Sequence, residues 1–171
     1  MANSTYGTPL FKSSNGDIVQ LSRVPFGKTA SDSGYDEAFI RDLVFDEPGC
    51  LPVSEIDRAY EQLVPICTEL NTPSGPLDAL YATPTGRLVV LEAKLWRNPE
   101  ARRKVVAQVL DYAKALSRWD YEDLQREVSR RLNEKGNALY RLVADAYPGT
   151  DESEFVDEVQ KSLRLGRFLL L

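Results

Sequence analysis

Residues 75–94 read GPLDALYATPTGRLVVLEAK, and the way this stretch folds decides the rest of the chain. Two apolar runs, Leu77 to Ala82 and Arg87 to Leu95, flank Thr83-Pro84-Thr85-Gly86, whose Pro and Gly suit a turn, so the segment predicts a β-hairpin. Pairing centred on Pro84-Thr85 sets Asp78 across from the region of Glu92. Side chains alternate along a strand, so Leu77, Ala79 and Tyr81 alternate with Asp78, Leu80 and Ala82. Glu92 and Lys94 then share one side, and Ala93 points to the other. An apolar strand that ends abruptly in Glu-Ala-Lys is costly if those charges are buried without partners. A divalent cation is a sufficient partner: Mg²⁺ or Mn²⁺ is held by one or two carboxylates, several waters and a substrate phosphate. Two carboxylates and an amine at this spacing thus point to metal-dependent phosphodiester chemistry. The plainer alternative is a surface hairpin on which Glu92 and Lys94 form a solvated pair worth under ~1 kcal/mol.

A helix is expected next. Asn98-Pro99 puts proline at a first turn, and Glu100 to Leu116 is rich in helix formers. Val105, Val106, Val109, Leu110, Ala113 and Leu116 recur at the helical period as its apolar stripe, with Gln108 and Tyr112 together on one flank. Arg97, Arg102, Arg103 and Lys104 cluster around the start of this helix. Three consecutive cations near a helix N-terminus oppose its dipole, a local cost consistent with a bound anion such as a flanking phosphate, against the alternative of a solvated face.

Taken in order, Gly75-x-x-Asp78, Glu92-x-Lys94 and Gln108-x-x-x-Tyr112 resemble the PD-(D/E)XK nuclease superfamily, in particular its RecB-type branch with GxxD, ExK and QxxxY motifs. The match covers roughly residues 34 to 118 and a strand at the end. The resemblance implies a mixed α/β fold of restriction-endonuclease type, an α-β-β-β-α-β core, here with an N-terminal β-hairpin and a C-terminal helical insertion. It implies Asp78 and Glu92 as ligands of Mg²⁺ or Mn²⁺, with the Ala93 carbonyl as a further candidate. Lys94 would orient or activate the attacking water, Gln108 and Tyr112 would orient substrate or ligands, and an acidic residue on the first helix would assist. Glu37 is the candidate for that last role, with Asp36 adjacent. Many members of the family carry proline directly before the first Asp; here Pro76 lies two residues earlier, with Leu77 between.

Composition bounds the possibilities. A chain of 171 residues with 43% hydrophobic content can bury one core and fits a single nuclease-like domain. No apolar run reaches the roughly 18 residues a membrane helix needs, and the N-terminus lacks a basic and apolar signal, so a cytoplasmic protein without membrane contact is expected. Cys50 and Cys67 read as reduced thiols. The absence of histidine excludes Ser/His/Asp and Cys/His catalysis within the chain. A net charge of −5 counts against a generic nucleic-acid binder, so DNA, the expected partner, would have to be met by the local basic cluster.

The remaining segments supply architecture. Leu10 to Leu21 predicts two short strands broken at Ser13 to Gly16, and Ser33 with Asp36 resembles a capping box opening a helix that runs to about Phe45. Val64 to Leu70 predicts the first core strand. Trp119 to Asn133, Ala138 to Tyr147 and Asp151 to Leu163 predict three helices, an insertion over 119–163 that splits a core of 34–118 and 166–171. Gly166 to Leu171 reads as a helix stop and a buried strand, from which an N-terminal fragment of a longer polypeptide is expected. The expected activity is metal-dependent DNA hydrolysis, with a catalytically inactive nucleic-acid or effector-binding module of the same fold as the alternative. Paired cuts in a duplex would call for a homodimer or for two visits by one copy.

Overall fold

The computed structural model describes residues 7–22, 36–94 and 99–171, with side chains 99–102 outside that description. Ser33, Arg97, Asn98 and the Arg102 side chain therefore lie outside the described residues. The chain divides into two compact units, residues 1–36 and 37–171. The first holds an exposed antiparallel hairpin of β1 (Leu10–Lys12) and β2 (Ile18–Gln20), in register Leu10 to Gln20, closed by Gly16 at φ 96°.

The second unit is a mixed α/β structure. It runs α1 (Glu37–Asp46), α2 (Val53–Ile56), β3 (Val64–Thr72), β4 (Gly75–Ala82), β5 (Leu88–Leu91), α3 (Pro99–Leu116), α4 (Tyr121–Leu132), α5 (Ala138–Ala146), α6 (Glu152–Leu165) and β6 (Phe168–Leu170). The sheet order is β3-β4-β5-β6; the first three strands are antiparallel neighbours and β6 lies parallel to β5. Three of the helices between β5 and β6, α4 to α6, are those expected as an insertion, and each opens on a side-chain cap from Asp120, Asn137 or Asp151.

Both faces of the sheet are covered. Leu80, Ala82, Leu88 and Val90 pack with Tyr112, Leu116, Leu124, Leu139, Phe155 and Val159 from α3 to α6. Ala79, Tyr81, Val89, Leu91 and Ala93 pack on the other side against Val53 and Tyr60, with Ile40, Val44 and Phe45 of α1 beside them. Helices on both faces leave β4 and β5 buried, which is why they read as continuous apolar runs. Among the described residues no helix is long and apolar enough to cross a membrane.

The hairpin turn is pinned to α6. Thr83 N–H donates to Arg87 C=O at 2.9 Å, and Gly86 takes φ 70° where an added Cβ would lie 2.8 Å from both Glu158 Cβ and Val159 N. Ser162 Oγ donates to the Gly86 carbonyl at 3.1 Å. After α6, Gly166 adopts φ 61° and ends the helix with Arg167 N–H on Ser162 C=O, as a left-handed cap requires.

Three sequence expectations need correction. The stripe of α3 is rotated: Val109, Tyr112, Ala115 and Leu116 are buried, whereas Val106 and Leu110 are 56% and 54% exposed. Tyr112 belongs to the core because its phenol finds an acceptor there, which satisfies the condition for burying a tyrosine. The third core strand ends at Leu91, so Glu92 and Lys94 lie just beyond it. Alternation in β4 also breaks: Leu77 packs in the cluster of Leu80 rather than with Ala79 and Tyr81, and the break falls on Asp78.

Candidate metal site

The hairpin register carries Asp78 to Glu92. Ala79 pairs with Leu91, so the next positions outward are Asp78 and Glu92. There β5 leaves β4, and Asp78 Oδ2 accepts the Ala93 N–H at 2.8 Å in place of a ladder carbonyl. On its other edge the segment stays in the sheet, with Glu92 N–H donating to Leu171 C=O at 3.0 Å. Backbone bonds on both sides thus fix Glu92 while its side chain remains available.

That side chain is 1% exposed, so the reading of a solvated surface pair does not hold. Its Oε1 makes an ion pair with Lys94 Nζ at 2.9 Å, and its Oε2 has no hydrogen-bond donor among the described residues. Lys94 also donates to Glu37 Oε2 at 3.1 Å, so the first residue of α1 is brought to the hairpin. Glu92 and Glu37 thus share one ammonium, and Asp78 is held beside them by the Ala93 N–H.

Charge follows geometry. Burial raises the Glu92 carboxyl above its ordinary value; Lys94 pulls against this, and Asp78 and Glu37 add to it. Burial acts to lower the Lys94 ammonium, but Glu92 and Glu37 outweigh it and hold it above its ordinary range. Both members of the pair shift upward, Glu92 chiefly through burial and Lys94 through its two carboxylate partners. A lysine held this way keeps its proton, donates hydrogen bonds and stabilises negative charge.

Gln108 and Tyr112 act through the backbone of β4. Gln108 Nε2 donates to Tyr112 Oη at 2.8 Å, and Tyr112 Oη donates to the Pro76 carbonyl at 2.7 Å, two residues before Asp78. Tyr112 is 1% exposed, and burial, followed by Glu92 and Asp78, outweighs Gln108 and raises its phenol. The two residues lock the start of β4 rather than project into solvent. Arg103 and Lys104 lie exposed on the same helix.

No protein-family model, curated protein or solved structure matches the chain.

The donor set suits a hard cation. Asp78 and Glu92 offer oxygen only, one oxygen is buried without a donor, and the local charge is negative. Among the described residues no group of three or more His, Cys, Asp or Glu is placed to hold a metal ion. Mg²⁺ does not require such a group, since it keeps several waters and takes one or two carboxylates plus phosphate.

Sequence reasoning missed the backbone groups at this site, the Ala93 N–H and the Pro76 carbonyl, and the pair of Arg41 and Glu69 that joins α1 to β3 at 2.6 Å. Backbone partners leave no trace in residue identity. The separation of Arg41 from Glu69, 28 residues, hides their pairing from any local pattern.

Proposed function

We propose that the chain is a divalent-metal-dependent nuclease of PD-(D/E)XK type that hydrolyses phosphodiester bonds, with DNA as substrate. The observation that carries the reading is the buried Glu92 carboxylate, set in register beside Asp78 with one oxygen that no described group satisfies. An unsatisfied buried carboxylate is costly, and a metal ligand role accounts for its retention. The succession α1, β3, β4, β5, α3 and β6, with α2 and α4 to α6 interposed and β6 parallel to β5, supports the family resemblance.

Asp78 and Glu92 would hold Mg²⁺ or Mn²⁺. Such an ion, when bound, polarises the phosphate and lowers the pKa of a coordinated water. Lys94 orients the attacking water and stabilises charge that develops on the phosphate, since its ammonium is fixed by two carboxylates that favour its charged form. Glu37 steadies Lys94 through a second ion pair. Gln108 and Tyr112 hold Asp78 in place through Pro76. Arg103 and Lys104, with Arg97 and Arg102, would receive flanking phosphates.

Titration with Mn²⁺ tests the assignment of roles. Glu92→Ala should lose metal binding and cleavage together. Lys94→Ala should keep metal and lose rate by about a hundredfold or more. Cleavage surviving Glu92→Ala contradicts the proposal.

One observation favours a second reading, an inactive nucleic-acid or effector-binding module on the same fold. Lys94 lies between Glu92 and Glu37 and neutralises part of the site without a cation. DNA binding indifferent to chelator, with no cleavage in Mn²⁺, would select it.

A further inference from the structure

Two non-glycine residues among those described have a left-handed backbone, Asn133 at φ 55° and Glu69 at φ 51°. Asn133 caps the C-terminus of α4, where that conformation is ordinary. Glu69 has no such local reason: it sits inside β3, and glutamate is not a residue that adopts this region readily. Thr68 pairs with Ala79 and Leu70 with Leu77, so the position opposite Glu69 is Asp78. The register continues through this point, yet Leu70 and Leu77 both pack with Leu80 rather than with Ala79 and Tyr81. The change of face in the two strands coincides with the Glu69 and Asp78 positions.

The Glu69 side chain is held from two helices. Arg41 Nη1 of α1 lies 2.6 Å from Oε1, and Arg131 Nη2 of α4 lies 3.7 Å from Oε2. Arg131 Nε also donates to the Thr68 carbonyl at 2.7 Å, next to the left-handed residue. Arg41 follows Glu37 by one helical turn, so the same clamp fixes the helix from which Glu37 reaches Lys94.

We propose that Glu69 is a positioning residue for the metal site: its clamped, left-handed backbone makes the break in β4 that aims Asp78 at Glu92. The inference rests on the nuclease reading above. Strain maintained beside a site by surrounding contacts is a known means of fixing functional geometry. Arg41 and Arg131 supply those contacts.

The test is Mn²⁺ affinity, by calorimetry well below the melting temperature, of wild type, Glu69→Ala, Glu69→Gly and Glu92→Ala. Glu69→Ala loses the clamp while its Cβ still resists the left-handed region, and should weaken Mn²⁺ binding by about tenfold or more. Glu69→Gly loses the same carboxylate but adopts that region freely, and should stay within about threefold of wild type. If Glu69→Ala does not fold, Glu69→Gln takes its place, since it also keeps Cβ and removes the charge. Equal affinities for wild type and the Ala or Gln variant would overturn the proposal, as would equal weakening in Ala and Gly. A purely structural Glu69 would lower the metal-free melting temperature and leave the affinity of the folded protein unchanged. Failure of wild type to bind Mn²⁺ would instead remove the nuclease reading and this inference with it. Wild-type binding that Glu92→Ala abolishes and Glu69→Ala spares would remove the inference alone.

Discussion

Glu92 concentrates the electrostatic cost of the molecule at one side chain, and its ionisation makes that cost measurable. Burial raises its pKa above the ordinary 4.5, so without metal the folded state holds this proton more tightly than the unfolded chain. The resulting stability is fully present below pH about 4.5 and is lost as pH rises through the folded value. In EDTA, the melting temperature of wild type relative to Glu92→Gln should therefore fall as pH is raised from 4.5 through the folded value. A difference that stays constant over that interval would mean that Glu92 ionises normally. Mn²⁺ should raise the melting temperature of wild type progressively with its concentration and leave Glu92→Gln unmoved. The identities of Asp78, Glu92 and Lys94 were legible in the sequence because charges at the end of an apolar strand stand out. The burial of Glu92 and the reach of Lys94 to Glu37 were not, since the first depends on tertiary packing and Glu37 lies 57 residues from Lys94.

At the level of elements, the site depends on how α3 and α6 grip the hairpin. Tyr112→Phe removes the donor to the Pro76 carbonyl and leaves that acceptor and Gln108 unmatched, with an expected loss of about 1–2 kcal/mol by denaturant unfolding. It should also weaken Mn²⁺ binding by several-fold, because Asp78 lies two residues along the strand; an unchanged affinity would show that the lock is structural only. Gly86→Ala meets both a left-handed φ and the backbone of α6 at 2.8 Å, so a loss of about 2 kcal/mol or more is expected, and a variant as stable as wild type would contradict the packing of turn on helix. Hairpin, turn and helix succession followed directly from Thr83-Pro84-Thr85-Gly86 and Asn98-Pro99, where backbone chemistry is local. The rotation of the α3 stripe did not, because Tyr112 and Val106 are both able to face a core, and the acceptor that Tyr112 finds at the Pro76 carbonyl leaves no mark in the local sequence.

Across the whole molecule, the net charge of −5 contrasts with cations gathered on α3, and the fold sets that helix against the same strands that present Asp78 and Glu92. Topology explains what was readable at this scale. Gly166 and the apolar residues after it announced a final strand, and only the sheet reveals that it lies parallel to β5 and holds Glu92 by the Leu171 carbonyl. The left-handed Glu69 was invisible in advance, since residue preference argues against it there. The most direct test of the central claim is cleavage of labelled single-stranded and double-stranded DNA in Mg²⁺ and Mn²⁺ by wild type, Asp78→Ala and Glu92→Ala. Cleavage by wild type, abolished by EDTA and by both substitutions, is the predicted result. Folded wild type that binds Mn²⁺ and cleaves neither substrate, or cleavage that either substitution leaves intact, would contradict it.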